Sequence, residues 1–251
     1  MPKNTCGWEC QHLLNDYLIP NPNVRQYGGF CGIQKSDLEE ALHRLMPFES
    51  PDMYAVLDDK IVILEHFEFD ASRRERRGGM QGKREENRID QSVGNAPPDG
   101  AYRVEKVNCK LSFEDWIKNF ETTFQRHYNR IDDYINHVKA EVKITDGKDI
   151  LVGFFIENQY SPYVEYAGRI YECYYIETIQ FLDFFCQHQR VDFILFGTYY
   201  GGYCQLFYVD HQFTIPRCQA VDLYDGNIKL SHLNQNEAVV YSKNIIDSNI
   251  E

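Results

Sequence analysis

Two acidic residues on neighbouring predicted strands are the feature of this sequence that points most directly to chemistry. Asp52 follows Pro51, and Glu65 lies inside the apolar run 61–69. Carboxylates near the end of a half-buried strand lose hydration and repel each other, unless a cation or a basic group compensates their charge. A divalent metal ion is a natural compensation because it prefers carboxylate oxygens. The pair therefore indicates a metal site.

The pairing of the two strands decides which acidic side chains can meet. The pattern predicts a β-hairpin over 53–70 with its turn near 58–60. With a two-residue turn, Asp52 lies opposite Glu65, and opposed side chains share one face about 5 Å apart at Cβ. With a three-residue turn, Asp52 lies opposite His66 instead. Both registers remain open from the sequence.

This arrangement resembles the PD-(D/E)XK nuclease superfamily. Pro51-Asp52 and Glu65 match the first two elements of that motif, whereas Phe67 stands where its lysine belongs. The resemblance covers about residues 36–160. It implies a restriction-endonuclease-like core and a nuclease that hydrolyses phosphodiester bonds of DNA or RNA. It also implies Mg²⁺ or Mn²⁺ bound by Asp52 and Glu65.

Two further residues complete the predicted catalytic set. Lys83 opens a predicted helix after the hairpin and is the candidate for a moved lysine, since its long stem could reach a metal-bound water. Glu68, near the end of the second strand, is the candidate for an auxiliary acid. The predicted catalytic residues are therefore Asp52, Glu65, Glu68 and Lys83.

The distribution of charge along the sequence bears on whether the protein can bind nucleic acid. The net charge of −12 by itself opposes binding to nucleic acid. Basic side chains are concentrated in one polar segment, 71–100, which we predict to be a mobile insertion. Four of its arginines are the predicted contacts to nucleic-acid phosphates: Arg73, Arg74, Arg76 and Arg77.

A second interpretation needs no metal. In it Glu65 is neutralised by a partner such as an arginine, and the basic segment is a solvated loop. The protein is then a non-catalytic member of the same fold, or an interaction protein with an acidic, tyrosine-rich surface. Tyrosine pairs that would suit protein contacts are Tyr174-Tyr175 and Tyr199-Tyr200.

The eight cysteines and the N-terminus bear on location. The chain starts without the apolar segment of a secretory signal, so we predict reduced thiols in a cytoplasmic protein. No apolar run is long enough to cross a bilayer, which predicts no membrane partner. A zinc site at Cys6, Cys10 and His12 would need four ligands, and only Cys31 lies nearby.

The order of elements predicts an α/β fold with a mixed β-sheet and helices on both faces. One long helix is expected from Ser112 to about Val142, and another from Tyr171 to His188. The predicted domain organisation has three parts: an N-terminal extension over 1–35, a nuclease-like core over 36–215 that carries the insertion, and a C-terminal tail over 216–251 packed on the core.

Overall fold

The computed structural model describes residues 10–11, 14, 25–26, 35–69, 88, 91, 103–105, 112–142, 147–158, 162–200, 203–212, 214–233 and 238–240. The strands are β1 (Arg25–Gln26), β2 (Met46–Pro47), β3 (Met53–Val56), β4 (Lys60–Phe69), β5 (Arg103–Glu105), β6 (Asp149–Asn158), β7 (Pro162–Tyr166), β8 (Arg169–Glu172), β9 (Phe193–Tyr200), β10 (Tyr203–Asp210), β11 (Lys229–Leu233) and β12 (Ala238–Val240). The helices are α1 (Lys35–Arg44), α2 (Phe113–Tyr128), α3 (Ile131–Glu141) and α4 (Ile179–Phe185).

The chain divides into two compact units. The first comprises Met1–Phe69, Glu121–Gln159 and Tyr174–Tyr224, and the second comprises the segments between and after them. Each unit is therefore assembled from stretches that are far apart in sequence. The candidate site described below lies wholly within the first unit.

The first unit is built on a seven-stranded sheet in the order β1-β10-β9-β6-β4-β3-β2. Strands β4, β6 and β9 are parallel neighbours. Strand β3 runs antiparallel to β4, and β10 runs antiparallel to β9. The predicted mixed sheet of an α/β fold is therefore confirmed.

Both faces of this sheet carry helices. Leu64 and Val62 of β4 belong to a buried cluster that includes Ala41 of α1. Phe67 of the same strand points to the opposite face of the sheet. Its ring centroid lies 6.4 Å from that of Phe124 in α2. Because side chains alternate along a strand, these contacts cover opposite faces.

The hairpin has the two-residue turn. Leu57 N–H donates to Lys60 O at 2.9 Å, and Met53 lies opposite Leu64 at the far end of the ladder. The ladder ends at this pair, and its register makes Asp52 and Glu65 the next residues on the two chains. Of the two registers that the sequence left open, the structure has the one that brings the carboxylates together.

The single long helix predicted over 112–142 is wrong, because it is broken between α2 and α3. Arg130 has φ −97° and ψ 1°, outside the helical range. Its N–H bonds to His127 O at 3.0 Å, a tighter turn than an α-helix makes. Asn129 is a weak helix former and accepts a hydrogen bond from Gln125 Nε2 at 2.8 Å. The break places Arg130 between the two helices that carry His127 and Tyr134.

The helix predicted over 171–188 is also wrong for most of its length. Strand β8 continues to Glu172, a 3-10 turn follows, and α4 begins only at Ile179. Thr178 sets this start, because its Oγ1 accepts a hydrogen bond from Phe181 N at 3.1 Å. The many aromatic residues here suited either a strand or a helix.

The second unit contains two small antiparallel sheets. One has the order β11-β7-β8 and the other pairs β12 with β5. Strands β7 and β8 form a hairpin whose turn residues, Ala167 and Gly168, have φ values of 51° and 73°. The sequence patterning of these strands was too weak to predict them.

Candidate functional site

Glu65 is the centre of a buried polar cluster. Its side chain is only 5% exposed. Its Oε1 accepts hydrogen bonds from Tyr134 Oη at 2.6 Å and from His127 Nδ1 at 2.9 Å. Arg130 Nη1 lies 4.0 Å from the same oxygen. Two hydrogen bonds and a nearby guanidinium therefore stabilise a carboxylate that has lost most of its hydration.

The orientation of His127 is fixed from both sides. Its ring stacks on Phe67, with the centroids 4.5 Å apart and the planes 13° from parallel. Arg126 Nη2 lies 3.2 Å from His127 Nε2 and can only donate, so Nε2 accepts and the proton lies on Nδ1. That proton is the one directed at Glu65. Phe67, at the position of the absent lysine, thus helps to hold the carboxylate in place.

Asp52 lies at the start of β3 and is less completely compensated. Its Oδ2 accepts a hydrogen bond from His66 N at 2.8 Å. Burial, followed by the negative charge of Glu65, raises the pKa of Asp52 from 3.8 to about 6, although that hydrogen bond and nearby histidines oppose the rise. The two carboxylates therefore destabilise each other, as the sequence pattern implied.

One oxygen on each carboxylate is left unused by the hydrogen bonds of the described residues. Within the described part of the chain, Asp52 Oδ1 and Glu65 Oε2 accept no hydrogen bond. No group of three or more His, Cys, Asp or Glu side chains that could hold a metal occurs among the described residues. Two carboxylates without a third ligand suit Mg²⁺, which keeps several waters and binds through one or two carboxylates, better than zinc.

The other predicted site residues do not join this pair among the residues described. Glu68 is exposed and lies opposite Glu157 of the parallel strand β6. Strand alternation directs it away from the face of Glu65. Five predicted residues lie outside the described residues: Lys83, Arg73, Arg74, Arg76 and Arg77.

One alternative from the sequence is corrected by burial, and burial also bears on a candidate zinc ligand. Tyr174 and Tyr175 are 9% and 0% exposed, so this pair is core rather than a contact surface. Cys10 is fully buried in the cluster on the α1 face. Burial, followed by the charges of Asp52 and Glu65, raises the pKa of this thiol, which opposes the thiolate form that zinc requires. The remaining candidate zinc ligands lie outside the described residues.

Sequence reasoning missed three residues of the site: His127, Tyr134 and Arg130. The alternative in which Glu65 needs a basic partner was nearer to the observed arrangement. A signal was present, because His127 and Tyr134 are seven positions apart on an otherwise apolar helical stripe. Two polar groups on a buried stripe imply a buried polar partner.

The hydrogen bond of Tyr134 should contribute measurably to stability. We expect Tyr134→Phe to lower the free energy of unfolding by about 1.5–2 kcal/mol, because it removes a donor to a buried carboxylate. Tyr128→Phe is the control, since no hydrogen bond of the Tyr128 hydroxyl occurs in the described part of the chain. Urea denaturation measures both. Equal losses in the two variants would contradict a stabilising role for the bond.

No protein-family model, curated protein or solved structure matches this chain. The class of site is therefore defined by its geometry: a carboxylate pair on a hairpin of a mixed α/β sheet, one member held by a histidine and a tyrosine. Among the described residues, no helix is both long enough and apolar enough to cross a membrane.

Proposed function

We propose that the protein is a Mg²⁺- or Mn²⁺-dependent nuclease that hydrolyses phosphodiester bonds of DNA or RNA, with Asp52 and Glu65 as the metal ligands. The observation that supports this most is the meeting of the two carboxylates at the end of the hairpin. The charge of Asp52 is incompletely compensated, and each carboxylate keeps one oxygen without a hydrogen bond in the described part of the chain.

The chain's own residues prepare the reaction. Tyr134 and His127 hold one oxygen of Glu65, which leaves the other in a fixed direction. The metal, when bound, would neutralise charge developing on phosphorus and lower the pKa of a bound water. In the hydrolysis, the water oxygen bonds to phosphorus as the bond to the leaving sugar oxygen breaks. The water's proton passes to solvent, and the leaving oxygen takes a proton from solvent.

The order of elements is consistent with this proposal. Helix α1 precedes the hairpin β3–β4, and helices α2 and α3 lead to the parallel strand β6. The PD-(D/E)XK resemblance implies a hairpin and flanking helices of this kind. The arginines of the segment 71–100 would supply phosphate contacts, a role that remains a prediction for these residues.

One observation favours a non-catalytic relative as the second candidate. Glu65 Oε1 is already occupied by two donors, and Phe67 packs against His127 where the motif has its lysine. A carboxylate retained for packing alone would look the same. In that case the protein would keep the fold without binding a metal, and would act through protein contacts.

Metal-dependent stabilisation separates these candidates. We expect Mg²⁺ or Mn²⁺ to raise the melting temperature of the wild type, because a ligand that binds only the folded state stabilises it by mass action. Asp52→Asn should remove the shift. Asp58→Asn, at the exposed hairpin turn, should keep it. An absent shift in the wild type, or equal shifts in all three proteins, would contradict a metal site at Asp52.

Cleavage of labelled oligonucleotides tests the reaction itself. Single-stranded DNA, duplex DNA and single-stranded RNA should be assayed at low salt with Mg²⁺ and with EDTA. We expect cleavage of at least one of them that requires the metal and is lost in Asp52→Asn. A metal-dependent shift in melting temperature without cleavage of any substrate would support the non-catalytic relative.

A further inference from the structure

The geometry points to Arg130 as the residue that contacts the substrate phosphate, with the pocket beside it accommodating the adjoining nucleoside. This inference rests on the proposed function, and it assigns the basic group that Phe67 cannot supply. Arg130 lies in the break between α2 and α3. Among the described residues, it is the arginine that the structure brings to Glu65.

Three contacts fix the guanidinium next to Glu65. Nη1 is 4.0 Å from Glu65 Oε1, and Nη2 donates to Ser50 Oγ at 3.4 Å. The Cζ atom lies 5.0 Å from the centroid of the Tyr134 ring, over its face. Ser50 is two residues before Asp52. The guanidinium is therefore held beside Glu65 while its side chain stays 49% exposed.

Among the described residues, the Arg130 guanidinium donates one hydrogen bond, to Ser50 Oγ. Glu65 Oε1 already accepts two hydrogen bonds, and the Arg130 separation of 4.0 Å is too long for a third. A guanidinium has five N–H donors in a planar fork that matches two phosphate oxygens. It also stays charged at every physiological pH, so it stabilises negative charge and does not abstract a proton.

An open pocket of about 810 Å³ adjoins this guanidinium. Arg130 and Ser50 lie on its wall together with Phe48, and helix α3 contributes His137. This volume is within the range of small-molecule sites. The pocket is thus open to solvent and continuous with the phosphate-binding donors.

The charges on the pocket wall limit what it can hold. Glu49 and Glu141 also line it, so the one guanidinium faces two carboxylates. A second phosphate would be repelled, whereas the uncharged nucleoside of a nucleotide would not. Carboxylates also accept hydrogen bonds from amino groups such as that of cytosine. We therefore assign the guanidinium to one phosphate and the pocket to its nucleoside.

Binding of 2′-deoxycytidine 5′-monophosphate tests this assignment without any need for turnover. With Mg²⁺ present, which would offset the negative charge of Asp52 and Glu65, the wild type should bind the nucleotide more tightly than inorganic phosphate, because only the nucleotide fills the pocket. Arg130→Met should weaken nucleotide binding by about 10- to 100-fold, the expected loss of charge-assisted hydrogen bonds. Arg130→Lys should restore part of it. Arg44→Met removes an arginine of similar exposure and should change nothing.

Titration of the wild type, followed by the NMR signal of the Arg130 side chain, guards against a variant that fails to fold. We expect this signal to shift on nucleotide binding. An unshifted signal, no binding by the wild type, or equal affinities of wild type and Arg130→Met would overturn the inference. The proposed function fails separately, by the absence of metal-dependent stabilisation and of metal-dependent cleavage in the wild type.

Discussion

Asp52→Asn is expected to make the metal-free protein more stable at neutral pH, by about 2–3 kcal/mol. Burial and the charge of Glu65 raise the pKa of Asp52 from 3.8 to about 6 in the folded state. Each pH unit of such a difference corresponds to about 1.4 kcal/mol. The asparagine cannot ionise, yet its side-chain oxygen can still accept the hydrogen bond from His66 N.

The gain should depend on pH in a defined direction. A carboxyl whose pKa is raised on folding contributes stability that is fully present below its unfolded value, near 3.8, and is lost as pH rises through about 6. The difference between wild type and Asp52→Asn should therefore be small at pH 4. It should grow between pH 4 and 6 and remain constant above pH 7.

Urea denaturation in EDTA across this range measures the difference in the free energy of unfolding. Asp58→Asn is the control, because this aspartate is exposed at the hairpin turn and should give no pH-dependent difference. A variant that loses stability at pH 7.5, or a difference that does not change with pH, would show that Asp52 is not an uncompensated charge. Stability gained together with lost metal binding is typical of functional residues.

Gly153→Ala is expected to destabilise the protein by about 2–3 kcal/mol through overpacking of the core. A Cβ at Gly153 would come within 2.1 Å of Cζ and 2.6 Å of Cε1 of the Phe193 ring. Phe193 is directly opposite on the parallel strand β9 and is 1% exposed. Its ring also stacks with Tyr208 at 5.9 Å between centroids, so it has little room to move.

Two further variants make this result specific. Gly226→Ala is the control, because nothing lies within 4 Å of a Cβ built at that position. Phe193→Leu in the Gly153→Ala background should recover part of the loss, since the smaller side chain releases the contact. Equal denaturation midpoints for wild type and Gly153→Ala would show that the ring is displaced at no cost.

The hairpin could be predicted because its information is local. Alternating apolar residues on either side of a short polar turn restrict the pairing to two registers, and one of them brings Asp52 and Glu65 together. The surroundings of Glu65 could not be predicted in the same way. His127 and Tyr134 reach it across the sheet face, and their helical pattern continues through the break at Arg130.

The position of the absent lysine also has one property that the sequence predicts and one that it does not. That Phe67 cannot bind a phosphate is evident from the sequence. That its ring instead orients His127 depends on a contact between elements sixty residues apart, which no local pattern encodes. The helix predicted over 171–188 failed for a related reason, because apolar aromatic segments fit strands and helices alike and tertiary packing decides between them.

The interleaving of the two units along the chain has a consequence for synthesis. Strand β4 lies inside its sheet, between β3 and β6, yet its parallel partner β6 and the next strand β9 follow far later in the chain. As the polypeptide leaves the ribosome, the hairpin β3–β4 is synthesised first. The apolar edge of β4 that later pairs with β6 stays unpaired until that strand emerges. Late closure of this kind slows folding and exposes nascent chains to aggregation. The seven-stranded sheet is therefore completed late in the synthesis of the protein.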